Sequence, residues 1–232
     1  MFQTDALRRG AWLAAAGGVV APAADAGAWS LAEGKEQWFV TISRESGDFG
    51  QAWRTDDFTE HGLGDGWGFT AKFESEIRIN EQYDDRTGFR LGLQKAFPIG
   101  ERGSFAIGAS VLAGESLDGP ECVGEGLEAR AALGTSFNFG GHEGFVNVEA
   151  GHRSRGGCER SVLEFASGIV LVPTLSLGLK AWSEGGAETG SSKAELGLGW
   201  DVADMTIGVG WREEISGNFD EKGWVLSLRG TY

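Results

Sequence analysis

Cysteine, histidine and proline are scarce in this chain: 2, 3 and 4 of its 232 residues. No Cys-x-x-Cys spacing is present, so metal binding is the lesser reading of the two cysteines. Neither a metal nor a cofactor is expected. Cationic residues are also few, 20 Lys and Arg against 34 Asp and Glu, for a formal net charge of -14. Phosphate contact needs a basic surface, so nucleic acid is not an expected partner. Long apolar runs are missing as well. The stretch 11–24 is too short for a spanning helix and contains Pro22. No segment beyond residue 26 has a helical period. Glycine is abundant at 39 residues, without the collagen repeat. It sits inside apolar runs such as Gly88-Phe89-Arg90-Leu91-Gly92-Leu93, where small residues let a sheet bend and close.

The first 26 residues read as an export leader. Arg8 and Arg9 precede the small, apolar 11–24 stretch, and Ala24-Asp25-Ala26 fits a small-x-small cleavage site. Gly27 is then the first mature residue, and 27–232 form one barrel domain. No cysteine follows the small residues, so a lipid-anchored start is not expected. Asp5 and Asp25 cancel the two arginines, so the mature chain keeps the full acidic charge.

The remainder alternates with period two, segment after segment. Trp38, Val40 and Ile42 oppose Phe39, Thr41 and Ser43; Trp67, Phe69, Ala71 and Phe73 oppose Gly68, Thr70, Lys72 and Glu74. The pattern continues to Trp224, Leu226, Leu228 and Tyr232 against Ser227, Arg229 and Thr231. With a weak segment at 58–63, the count is twelve; ten or fourteen stay open because 45–63 is ambiguous. About ten residues per segment suits a tilted membrane strand. The expected fold is all-β, a closed antiparallel transmembrane β-barrel of twelve strands with both ends in the periplasm.

Three features set the apolar face outward, against a soluble barrel. Twelve strands enclose more space than side chains usually fill. Every other connection is tight: Gly64-Asp65-Gly66, Gly140-Gly141-His142, Val172-Pro173-Thr174 and Ala203-Asp204. Those between are expected to be longer and acidic, the arrangement of short periplasmic turns and long outer loops. Aromatics collect near the tight turns: Trp38, Trp67, Phe97, Phe105, Phe137, Phe139, Phe145, Trp200 and Tyr232. They read as one girdle at a lipid–water boundary.

The polar face then lines the lumen with Lys72, Glu74, Glu76, Arg78, Arg90, Glu128, Arg130, Glu149, Arg153, Glu164, Lys180, Lys193, Glu195, Arg212, Glu214 and Arg229. Their signs nearly balance. Either they pair across the lumen and fill it, or they line a narrow wet pore. The acidic surplus is assigned to the loops, at Asp48, Asp56, Asp57, Asp84, Asp85, Asp118, Glu121, Glu188, Asp220 and Glu221. Such carboxylates can share divalent cations with lipopolysaccharide. Cys122 and Cys158 fall in neighbouring outer loops of an exported chain, so they are expected to form a disulfide.

Three resemblances follow. Ending on aromatic Tyr232 resembles outer-membrane barrels, which implies recognition by the barrel-assembly machinery. Gly27-Ala28-Trp29-Ser30-Leu31-Ala32-Glu33-Gly34, with Arg155-Gly156-Gly157 after a strand, resembles the mature start and a turn of a proteobacterial group of outer-membrane barrel proteins. It implies fold and location only. His152-Arg153-Ser154 resembles the His-x-Ser element of outer-membrane phospholipase A and lipid A deacylases, with His152 and Ser154 facing lipid. The phospholipase continues Ser-Asn-Gly; here Arg155 and Gly156 follow, and Glu159 is the one nearby carboxylate. The leading expectation is a non-enzymatic outer-membrane protein of a Gram-negative bacterium. It is either a porin-like transport channel for small solutes or a structural or surface protein. A lipid hydrolase and an adhesin with acidic loops are the alternatives. Oligomeric state is left open.

Overall fold

The structure, a computed structural model, describes residues 28–48, 50–79, 84–115, 117, 122–186, 190–217 and 219–232. The proposed leader 1–26 and Gly27 lie outside the described residues, as do Asp118, Glu121 and Glu188. Twelve strands follow one another: β1 (Glu36–Gly47), β2 (Gly50–Gly64), β3 (Trp67–Arg78), β4 (Arg86–Ile99), β5 (Gly103–Gly114) and β6 (Gly126–Phe139). Then come β7 (His142–Arg155), β8 (Cys158–Val172), β9 (Leu175–Gly186), β10 (Gly190–Val202), β11 (Met205–Ser216) and β12 (Lys222–Thr231). Each pairs antiparallel with its chain neighbours, and β1 pairs with β12 to close the barrel. Closure satisfies every ladder and leaves no edge.

The alternation is inside out. Among the described residues the buried apolar cluster is four alanines, Ala28, Ala96, Ala106 and Ala132. Large apolar side chains such as Leu91, Leu93, Ile107, Leu133, Leu196 and Leu226 stand on the outer wall. Ten residues separate outward Trp67 from outward Ile77 on β3. At about 3.3 Å per residue and a tilt of about 40°, the apolar band is about 25 Å tall, the height of a membrane barrel's belt.

The end where β1 begins and β12 stops carries five connections of two or three residues; it is called the turn end here. Asp65 and Gly66 both take positive φ there, 50° and 77°, as the tight hairpin turn matching strand twist requires. The opposite, loop end is not uniformly long. The β1–β2 and β7–β8 connections are also two-residue hairpins, the second closed by Gly156 and Gly157 at φ 54° and 87°. The 115–125 connection is the longest.

Four sequence expectations need correction. The weak segment at 58–63 is the end of a 15-residue strand, β2, and Asp56 and Asp57 belong to it rather than to a loop. Cys158 is the first residue of β8, not a loop residue. Phe145 shares the inward phase of Asn147 and Glu149 and meets Trp29 edge-on, so it leaves the girdle. The aromatics form two belts, not one. At the loop end, outward Trp53, Trp211 and Trp224 accompany the Phe73–Phe89 pair, and Trp211 and Trp224 pack edge to face at 5.1 Å. At the turn end Trp38, Trp67, Phe97, Phe105, Phe137, Phe139, Trp200 and Tyr232 keep outward positions or lie at the rim.

Candidate functional site

All sixteen charged residues assigned to the lumen occupy inward positions. The structure adds Glu45, Arg54, Asp56, Glu60, Arg155, Arg160, Trp182 and Glu184 to the same surface. Their ion pairs organise two walls. On one, Glu128 is fully enclosed and accepts from Arg90 at 3.1 Å and from Arg130 and Arg153. Arg130 also meets Glu149 and, at 3.4 Å, Glu164. Glu184 takes both Arg153 and Arg160. On the other wall, Lys72 pairs with Glu74 at 2.7 Å, and Arg54 lies 3.5 Å from Asp56 and Glu74. Arg212 bridges Glu45 at 2.6 Å and Glu195 at 2.9 Å.

These pairs join strands no more than two apart and run round the wall, so they do not fill the lumen by crossing it. Shared, hydrogen-bonded carboxylates offset the large cost of holding charges away from bulk water. Between the walls lies a cavity lined by charged groups of both signs. Arg54, Lys72, Arg153, Lys180 and Arg212 face it, against Asp56, Glu74, Glu164, Glu184 and Glu195. Phe39, Thr41, Phe58, Val162 and Trp182 complete its lining. Lys180 and Arg212 each sit 5.1 Å from the Trp182 ring centre.

Toward the turn end, residues 28–35 lie inside the barrel as a strap. Gly34 N–H donates to Gly62 O on β2. Leu31 N–H donates to Glu60 (3.3 Å), and Gln94 on β4 donates to Glu60 (2.9 Å). Ala28, fully buried, donates its N–H to Asn147 on β7 (3.1 Å) and accepts from Ser104 on β5 (2.6 Å). The strap therefore follows the wall from β2 round to β7, half the circumference. Small inward residues make its bed: Ala96, Ala106, Ala132 and Gly134, where a Cβ would overlap the Trp29 ring. On the β9–β11 side, below Glu195 and Arg212, the inward positions are Ser176, Gly178, Gly197, Gly199, Gly208 and Gly210, with Asp201 and Thr206 bonded to each other at the rim.

Cys122 and Cys158 are joined as a disulfide, with Cα atoms 5.6 Å apart. It ties the 115–125 connection down at the loop end, and Cys122 and Leu117 are buried beneath it. His152 and Ser154 face outward near the loop-end rim. His152 Nε2 is 2.6 Å from Glu159, and Ser154 Oγ donates to the other Glu159 oxygen at 2.6 Å. No hydrogen bond joins Ser154 to His152 among the described residues. The Glu159 carboxylate stands between them.

No protein-family model matches the sequence, and a comparison with curated proteins finds no match. Solved structures do match in fold. The NanC porin superposes with a TM-score of 0.63 at 10% identity, covering 83% of this chain and 98% of that one. The KdgM porin gives 0.58 at 11% identity, covering 84% and 99%. An outer membrane channel from Pseudomonas putida F1 gives 0.59 at 12% identity, covering 88% and 96%. The chain therefore has the fold of small outer-membrane β-barrels.

Proposed function

We propose that this protein is a narrow, non-enzymatic channel for small polar solutes in the outer membrane of a Gram-negative bacterium. The observation that carries this reading is the polar cavity between two walls of ion pairs. A filled barrel would bring those charges together across its axis; here they pair along the wall and leave polar groups and Trp182 facing open space. The strap narrows one side of the turn end, while the glycines of β9–β11 leave room above Asp201 and Thr206 on the other. The fold shared with NanC, KdgM and the Pseudomonas channel supports the same reading. In this reading the loop end faces outward, beside lipopolysaccharide, and Tyr232 at the turn end serves the barrel-assembly machinery. The hydrolase alternative is weakened by the bond between Ser154 and Glu159.

Single-channel conductance of the folded protein in a planar bilayer tests the proposal. Reproducible steps that scale with salt are expected. Silence from a correctly folded sample would return the barrel to a structural role.

A further inference from the structure

A second, smaller cavity sits at the loop end of the lumen, roofed by the Cys122–Cys158 bridge and flanked by Leu112. Its charge differs from that of the central cavity. Arg90, Arg153, Arg155 and Arg160 line it, against Glu74 and Glu184. Among the described residues the carboxylates within reach are already committed. Glu184 holds Arg153 and Arg160, and Glu74 holds Lys72 and Arg54. Glu128, just below, holds Arg90, Arg130 and Arg153.

Arg155 is left over. It is the inward-facing last residue of β7, only 8% exposed, and its Nη1 is buried without a hydrogen-bond partner. Among the described residues no carboxylate pairs with it. A guanidinium stays charged at any physiological pH and carries five donors, so a buried one needs an acceptor. Its planar fork matches two oxygens of a carboxylate or phosphate.

We propose that this chamber is a binding site for a small oxyanion, a carboxylate or a phosphate, taken by Arg155 in a forked pair under the disulfide roof. The surplus of guanidinium groups draws an anion into an otherwise acidic protein, because charged clefts with low-dielectric walls focus the field. The site's place on a solute route rests on the channel reading; binding itself does not.

Calorimetric titration of detergent-folded protein with inorganic phosphate, and separately with succinate, in chloride-poor buffer tests this without requiring conduction. Arg155→Gln is expected to weaken binding about ten- to a hundredfold, the loss of a charged hydrogen-bond pair. Arg155→Lys, which keeps the charge without the fork, should fall between. Arg102→Gln, which removes a charge from a turn-end connection, should bind as the parent does. Arg155 has no ion-pair partner to abandon among the described residues, so Arg155→Gln should fold normally, shown by the heat-sensitive gel shift of a closed barrel. Binding of phosphate alone, or of succinate alone, identifies which oxyanion the chamber takes; binding of both marks a general site. No heat with either anion at millimolar concentration, or parental affinity in Arg155→Gln, overturns the proposal. Binding by a barrel that does not conduct would remove the channel and keep the site.

Discussion

Releasing the strap should widen the lumen by graded amounts that follow from its contacts. Between residues 28 and 33 its shortest bonds to the wall are Ala28 to Asn147, Ser104 to Ala28 and Leu31 to Glu60, each worth about 1 kcal/mol net. Trp29 adds to this, being about two-thirds buried against Gly134 and Phe145. At about 25 cal/mol per Å² over about 130 Å², that packing contributes about 3 kcal/mol. Against the total of about 6 kcal/mol stands the entropy of ordering six residues, at least about 6 kcal/mol. The two sides nearly cancel, so seated and released straps should coexist and appear as a small and a large conductance level. Asn147→Ala, costing about 1 kcal/mol, should raise the large-to-small ratio about fivefold; Trp29→Ala, costing about 3 kcal/mol, should raise it on the order of a hundredfold. Dwell times in a planar bilayer measure the ratio, and amide exchange of residues 28–33 gives the same ordering without current. Unchanged levels and unchanged exchange in both variants would refute the account of the strap.

Two further outcomes concern stability. Reducing the Cys122–Cys158 bridge, which closes a 36-residue separation, should cost about 3 to 4 kcal/mol on the chain-entropy account, read as a lower urea midpoint in lipid vesicles. Glu128→Leu leaves Arg90, Arg130 and Arg153 facing a vacancy and should destabilise by about 3 to 5 kcal/mol, whereas Glu128→Asp should recover part of the loss in the same titration.

The wall of this barrel was legible where its two faces differ in polarity. On β3, β6, β10 and β11 apolar and charged residues alternate, so Lys72, Glu128, Glu195 and Arg212 were placed by phase alone. Arg160 and Glu184 needed only two more residues of the same phase on β8 and β9. Phe145 departs from the girdle because it shares the phase of Asn147 two residues on, and strand phase overrides the preference of an aromatic ring for the boundary. The strap was out of reach. Its bonds join residues 119 and 76 positions apart, and nothing in Ala28 or Asn147 alone announces a partner at that distance. The loop-end chamber was hidden for a related reason: Arg155 reads as one more basic residue until its neighbours' carboxylates are seen to be taken.

The strand that alternation shows only weakly, β2, exposes a physical oddity. Arg54, Asp56, Phe58 and Glu60 face the lumen, but the outward side is also polar, with Thr55, Asp57, Thr59 and His61 below Trp53. Period two disappears when both faces are polar. Asp57 is opposite Val40 on β1 and Phe73 on β3, midway along an otherwise apolar wall, and no ion pair engages it among the described residues. A carboxylate facing lipid at that height destabilises a barrel by up to about 2 kcal/mol, less than a basic residue would. Asp57→Leu is therefore expected to raise the urea midpoint in vesicles if this face meets hydrocarbon, with the oligomeric state unchanged by cross-linking. A lower midpoint, or loss of a cross-linked species present in the parent, would show that Asp57 faces a polar surface of another protein. In that case the polar side of β2 is an interface, and the absence of alternation there is its sequence signature.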